Sequence, residues 1–355
     1  MNKKRITVIA SKLGGGGAER VASLLTNYLA EQGHTVQFIA AHLDKREYPL
    51  NEEVTYTAIQ TNHKNSILRL LERSGKITKA VKEFHSDAVY SFITYDLISL
   101  VNAPGIDVIP SMRAAPEVSD RKFIYRHLRR YVFHRAKYVV FQTEGAKSAY
   151  DQKIQSKGVI IPNPLTSDLG EWNEEEHSNT MIAACRISTS KNIPMMLEAF
   201  KKFHEIHPEY TLEIYGDGDP ASYKTKMEDL CKELGADSYI HFMGHTSQIH
   251  ELMRTSAAFL QTSDYEGLSN SMLEAMSVGI PCVITDCAPG GARAFITNEE
   301  TGMLVRRGDV QGMAGAMCKV AESVSLQHKL HMQERYVKDV LDRNVICRKW
   351  EDLLK

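Results

Sequence analysis

The chain predicts an α/β fold: two Rossmann-like, doubly wound domains facing each other across a cleft. Three observations carry that expectation. At 355 residues the chain exceeds what one hydrophobic core usually covers. Short apolar runs alternate with amphipathic helical patterns along its length, as a parallel sheet covered by helices on both faces requires. Near the middle, Ile161-Pro-Asn-Pro-Leu165 and an acidic stretch at 167–180 interrupt the alternation, which then restarts. The expected division is 1–162 for the first domain, 163–335 for the second, and a C-terminal helix at 336–355 packing back toward the first.

Each element has its own signal. Residues 6–10 form an apolar run of strand length, 14–17 a glycine loop, and 18–32 an amphipathic helix closed by Gly33. Strands are expected at 36–40, 88–92, 108–111, 138–141 and 159–161, with helices at 66–84, 121–133 and 144–155. In the second half, strands at 181–184, 211–215, 239–242, 257–261 and 281–285 alternate with helices at 193–203 and 224–234, before a helical tail at 326–354. Ligands of such folds bind at the carboxyl ends of the strands, and every motif below follows a predicted strand.

Composition narrows the function. A hydrophobic share of 43% reads as globular, and no apolar run approaches the roughly 20 residues that span a bilayer. The run at 6–10 is too short for a signal peptide. Cys185, Cys231, Cys282, Cys287, Cys318 and Cys347 show no CxxC pair, so reduced thiols in a cytoplasmic protein are expected. The net charge of −1 conceals +9 over residues 1–162 and −10 over 163–355, with a local +6 at 111–137. An anionic partner for the first half follows. A nucleic acid does not, since that half lacks interleaved aromatic platforms or a reading motif.

The most informative stretch is Glu266-Gly-Leu-Ser-Asn-Ser-Met-Leu-Glu274, followed by Ala-Met-Ser-Val-Gly-Ile-Pro. One carboxylate lies in a loop of small residues and the next in an apolar helix. Between them, Gly267, Leu268, Ser269 and Asn270 offer backbone N–H groups to an anion at the positive end of that helix. A diphosphate on those amides and sugar hydroxyls on the carboxylates would grip a nucleotide-sugar; a capped helix with a buried glutamate reads from the same residues. Arg186 and Lys191, five apart in a loop after a strand, are cations suited to clamping a diphosphate or simply exposed charges. Gly14-Gly-Gly-Gly17 lets backbone approach a ligand closely, but its register is not that of GxGxxG, and Asp44 is the nearest acid after the second strand. Gly216-Asp-Gly-Asp219 reads as a βα turn rather than a metal site, because no further ligands stand nearby. His245 follows a strand and approaches a base or a phosphate, or is an exposed loop histidine. Tyr95, Asp96 and Arg113, at strand ends in the first half, are acceptor-side candidates. The helix containing Arg126, Arg129 and Arg130 has apolar residues at 123, 124, 128, 131 and 132 on one face, for lipid or for the sheet. No Ser-His-Asp or Cys-His grouping supplies a covalent nucleophile.

Together these residues resemble the family 4 retaining glycosyltransferases of GT-B fold, over nearly the whole chain. The resemblance implies that Arg186 and Lys191 contact the donor diphosphate, Glu266 the donor sugar and Glu274 the ribose. It also implies that the amides of 267–270 meet sugar and phosphates, with Gly216 and His245 at the donor and the loop at Gly16 and Gly17 closing on it from the acceptor domain. Catalytic roles fall on Glu266, Arg186 and Lys191, with no metal or other cofactor. The first-domain histidine of some relatives has no counterpart, and Ser111-Met-Arg113 resembles a Ser-x-Arg stretch of polysaccharide-building members. A hexosyltransferase follows, moving a hexose or N-acetylhexosamine from a UDP-sugar to a glycan, lipid-diphosphate-linked, peripherally at the inner membrane face. A non-transferring nucleotide-sugar epimerase or a silent sugar-binding module remains as alternative.

Overall fold

A computed structural model of the chain describes residues 3–43, 48–115, 123–165, 169–332 and 334–355. Asp44 and the first residues of the helix expected from 121 lie outside them. The chain divides into two compact units, residues 1–164 with 341–355, and residues 165–340.

The first unit is a seven-stranded parallel sheet: β1 (Arg5–Ala10), β2 (Thr35–Ala40), β3 (Thr55–Ala58), β4 (Ala88–Ser91), β5 (Asp107–Met112), β6 (Val139–Phe141) and β7 (Gly158–Ile160), in the order β3-β2-β1-β4-β5-β6-β7. Its helices are α1 (Gly17–Glu31), α2 (Ser66–Glu83), α3 (Phe123–Arg135), α4 (Glu144–Ser148) and α5 (Gln152–Gln155). The second unit has six parallel strands: β8 (Thr180–Ala184), β9 (Thr211–Tyr215), β10 (Ile240–Gly244), β11 (Ala258–Gln261), β12 (Cys282–Asp286) and β13 (Met303–Arg306), ordered β10-β9-β8-β11-β12-β13. Its helices are α6 (Ile193–His204), α7 (Ala221–Glu233), α8 (Ile249–Arg254), α9 (Asn270–Val278), α10 (Val310–Glu322), α11 (Val324–His331) and α12 (Glu334–Leu341); α13 (Arg343–Asp352) returns to the first unit.

Five of the six residues of β1 and of β2 are buried, the near-continuous apolar run of strands covered on both faces. One side of the first sheet packs Ile9, Ile39, Val89, Val108, Met112 and Phe141 into a core with Val132 and Phe133 of α3. The other side receives α13. Trp350 is fully buried against Tyr90 and Phe92, at ring-centroid distances of 5.3 and 5.6 Å. Glu351 accepts from Tyr28 Oη and meets His34 Nε2, both at 3.1 Å. The second unit builds its core from Met181, Ala183, Phe200, Leu212, Leu260 and Met313, among others.

The expected helix at 144–155 is two helices. Thr143 caps α4 by accepting from Ala146 N, and Asp151 caps α5 by accepting from Ile154 N. A second N-cap restarts the backbone where periodicity alone continues.

Strand order reverses once in each sheet, between β1 and β4 and between β8 and β11. At such a switch point the loops leaving two neighbouring strands diverge to opposite faces, opening a crevice at their carboxyl ends.

Candidate functional site

In the second unit the crevice is built from the loops after β8, β9, β11 and β12. Leaving β8, Ile187 N donates to Asp217 O at 2.8 Å, and Asp219 N donates to Ile187 O at 2.9 Å, tying this loop to the turn after β9. That approach requires Gly216: its φ is +137°, and a Cβ there would lie 1.9 Å from Cys185 O. Arg186 Nη1 then donates to Asp219 Oδ2 at 3.0 Å, both side chains more than half exposed. Such a pair contributes little to stability and yields readily to a stronger anion. His245 is exposed just past Gly244, whose carbonyl accepts from Gly216 N at 2.8 Å.

Lys191 is delivered more firmly. Asn192 takes the left-handed conformation (φ 47°, ψ 52°), and its side chain caps α6 by accepting from Met195 N at 3.3 Å. Asn192 Nδ2 donates to Asp264 Oδ1 at 3.0 Å, and Thr262 Oγ1 donates to the carbonyls of Lys191 and Asn192 at 3.0 and 3.1 Å. The loop after β11 thereby grips the loop after β8 and sets Lys191 Nζ directly on Glu266 Oε2. The two side chains are 16% and 23% exposed, so this pair is partly screened from water but open to a ligand. Burial pulls the ammonium down, and the neighbouring Glu266 carboxylate outweighs it, holding Lys191 above its ordinary value.

Glu266 is braced from the other side. Its N–H donates to Ala288 O at 3.2 Å, and Gly291 lies so close that a Cβ there would stand 2.1 Å from Gly267 O. Ser269 caps α9, accepting from Met272 N at 3.3 Å, so the helix begins beside the pair. Glu274 follows inside α9, only 5% exposed, with Oε2 3.1 Å from His250 Nε2 on α8. A carboxylate that deep needs a partner, and the histidine supplies it. Near the ion pair, burial pushes the Cys185 thiol up to about 11 and the Cys287 thiol up to about 12. Both are protonated at neutral pH and inert as nucleophiles.

Arg186, Lys191, Gly216, Glu266, Gly267, Leu268, Ser269, Asn270 and Glu274 all lie on these loops and on α9. His250, Asp264, Thr262 and Gly291 escaped sequence reasoning, since each acts on a residue distant in the chain and carries no local pattern.

In the first unit, Gly16 is the N-cap of α1 and Gly17 its first residue; a Cβ on Gly16 would meet the Glu19 carboxylate at 2.2 Å. Tyr95 packs on Tyr125 with ring centroids 4.7 Å apart, and Asp96 is buried against Arg73, whose Nη1 reaches His42 Nε2 at 2.8 Å. On α3, Arg129 is buried and donates to Tyr95 Oη, while Arg130 reaches Asp151 at 3.8 Å. Of the four arginines on α3, Arg126 and Arg135 are exposed.

Among the described residues no helix is long and apolar enough to cross a membrane. The group of three ligand-type side chains within 4.8 Å of one another there is His207, Cys318 and Glu322, on elements that carry none of the site residues.

Two parallel sheets with this strand order, and a Lys–Glu pair at the head of a helix in the second, define a GT-B glycosyltransferase. The chain belongs to the family 4, group 1 glycosyltransferases: the model described as "Glycosyltransferase Family 4" matches residues 15–169 and that described as "Glycosyl transferases group 1" matches 167–336. An uncharacterized glycosyltransferase of Haemophilus influenzae is 22% identical over 99% of this chain and 100% of its own. The lipopolysaccharide 1,6-galactosyltransferase of Escherichia coli is 25% identical over 92% of this chain and 91% of its own. The crystal structure of Anabaena Alr3699/HepE in complex with UDP and glucose superposes with a TM-score of 0.84 at 16% identity, covering 99% of both chains. The protein is therefore an enzyme of sugar transfer.

Proposed function

We propose that the enzyme is a retaining hexosyltransferase. It takes a hexose or N-acetylhexosamine from a UDP-sugar and places it on a lipid-diphosphate-linked glycan, in surface polysaccharide assembly at the cytoplasmic membrane face. The observation that carries the donor half is the Lys191–Glu266 pair beside the N-terminus of α9, with Glu274 held one turn inside. A diphosphate arriving there competes for Lys191 and Arg186, each of which exchanges a carboxylate partner for a phosphate. Glu266, released from Lys191, then turns its carboxylate to the sugar hydroxyls. Glu274 accepts the ribose hydroxyls, and the amides of 267–270 meet the phosphates at the positive helix end. His245 and Gly216 line the nucleotide side.

As the anomeric carbon parts from the diphosphate, the departing charge grows on oxygens facing Lys191, Arg186 and the α9 amides, so those groups bind the transition state more tightly than the ground state. The acceptor hydroxyl attacks from the face the diphosphate leaves. These cations take the place a divalent ion would fill, and no metal is required in this reading. UDP and UDP-glucose complexes of Anabaena Alr3699/HepE support a uridine donor, and the galactosyltransferase of lipopolysaccharide supports a glycan acceptor.

The experiment is steady-state kinetics with two variants. Glu274→Ala is expected to raise the donor KM at least tenfold with a smaller change in kcat. Glu266→Ala is expected to lower kcat by about a hundredfold or more, the scale of a lost transition-state contact. Wild-type kinetics in both would remove the assignment.

A further inference from the structure

The first unit holds a cation whose guanidinium is buried and has no balancing charge among the described residues. Met112 points into the core shared with Val89 and Val108, so its neighbours Ser111 and Arg113 face the opposite side of the sheet, where Tyr90, Phe92 and Trp350 pack. Arg113 Cζ lies 5.0 Å from the Phe92 ring centroid and 5.2 Å from that of Trp350. Its Nη1 donates to Asn163 Oδ1 at 2.8 Å, an oxygen that also accepts from Gln142 Nε2 at 2.8 Å. Arg113 Nε and Nη2 are buried with no hydrogen-bond partner, and so are Ser111 Oγ and Trp350 Nε1. Among the described residues no carboxylate is paired with it, and burial pulls the guanidinium's pKa down to about 9. Folding ordinarily pairs such a group, because an uncompensated buried charge and orphaned donors both oppose it.

A cation lying beside two rings, with donors left over on the same side of the sheet, is complementary to a planar or tetrahedral oxyanion. Arg113 as a whole is only part-buried, which leaves an approach from solvent. We infer that Ser111, Arg113 and Trp350 form a subsite at the carboxyl end of β5 for an oxyanion, phosphate or carboxylate, carried by the acceptor. The inference rests on the reading of the first unit as the acceptor domain. It deepens that reading by assigning the acceptor a negative group that the donor site does not bind.

The test uses the full-length protein saturated with UDP, which occupies the diphosphate contacts of the second unit. Sodium phosphate, or in a second arm sodium acetate, is titrated against sodium chloride at constant ionic strength, reading the melting temperature and the phosphorus NMR line width. A saturable further stabilisation is expected in the wild type, from phosphate or acetate according to which oxyanion the subsite takes. Arg113→Met is expected to need at least tenfold more of that anion, while its stabilisation by UDP is unchanged. Trp350→Phe, which keeps an aromatic ring and deletes the N–H, and Ser111→Ala are each expected to weaken anion binding by a smaller factor; these two carry the test if Arg113→Met does not fold. No anion-dependent increment in the wild type, or equal increments in wild type and all variants, overturns the subsite and identifies an adventitious ion only. The titrations are repeated without UDP. Failure of UDP to stabilise the wild type counts against the donor reading, and the subsite is still decided by the difference between wild type and variants.

Discussion

At the scale of single residues, the site turns on how strongly Lys191 is committed to Glu266. A lysine largely removed from water ordinarily loses its proton more easily, yet the carboxylate beside it reverses the sign and raises its pKa. A cation with a raised folded-state pKa contributes stability that is fully present below its unfolded value, and loses it as pH rises through the folded value. The pair therefore predicts a component of stability that persists through neutral pH and disappears only above the ordinary lysine range, near 10.5. Comparing urea midpoints of wild type and Lys191→Met from pH 7 to 11 checks this. The difference is expected to shrink at the alkaline end, and a constant difference contradicts it. Glu266 and Glu274 were legible in the sequence because their spacing is local, one loop, one helix, and a glycine-serine stretch between; Lys191 was legible only as the companion of Arg186 five residues away, since its meeting with Glu266 spans 75 positions. His250 and Asp264 were not. Their meaning lies in contacts with Glu274 and Asn192, 24 and 72 positions away, which no periodicity encodes.

At the scale of elements, most of the alternating strands and helices came through, whereas α10 (Val310–Glu322) and the short or half-exposed pieces did not, and the tail expected at 326–354 is divided among α11, α12 and α13. β3, Thr-Tyr-Thr-Ala, is an edge strand with no fully buried residue, so it lacks the apolar run that marks β1 or β2. β13 is only four residues and α8 only six, too short for a period to show. α3 shows how a helix can satisfy two readings at once. Its second half buries Val132 and Phe133, while Phe123 and Ile124 at its start are 69% and 54% exposed beside Arg126. On α2, Ile67, Leu68 and Leu71 are also at least half-exposed near Arg69, and α2 and α3 both pack on the turn at Tyr95–Leu97. Apolar side chains among cations suit the interface of an anionic bilayer, and their number supports the proposed membrane partner. On vesicles containing phosphatidylglycerol, replacing Phe123, Ile124 and Arg126 by Ser, Ser and Gln is expected to reduce binding about tenfold or more. Replacing Arg130 alone is expected to have little effect, because it faces Asp151. Unchanged binding of the triple variant would remove this surface from the account.

At the scale of the whole molecule, two reversals of strand order do most of the functional work. Each arises because the chain continues outward on one side of its first strand and then crosses to the other, leaving divergent loops above β1 and β4 and above β8 and β11. The sequence foretold alternation and the interruption at the Pro-Asn-Pro stretch. Strand order itself depends on which helices cover which face, a tertiary choice that local patterns do not carry. The second reversal brings Lys191 from one loop onto Glu266 of the other, and every donor contact proposed above follows from that meeting.

The central claim is that this meeting point binds a nucleotide-sugar through cations and amides alone. The most direct measurement is thermal stabilisation of the intact protein by a panel of UDP-, GDP- and ADP-sugars, with and without EDTA, in wild type and Glu274→Ala. A ligand that binds only the native state stabilises it by RT ln(1 + [L]/Kd), so a sugar at a hundredfold its Kd contributes about 2.7 kcal/mol. One UDP-sugar is expected to raise the wild-type melting temperature by several degrees, unaffected by EDTA, and to lose most of that effect in Glu274→Ala. Stabilisation that EDTA abolishes, or that survives Glu274→Ala in full, would contradict it.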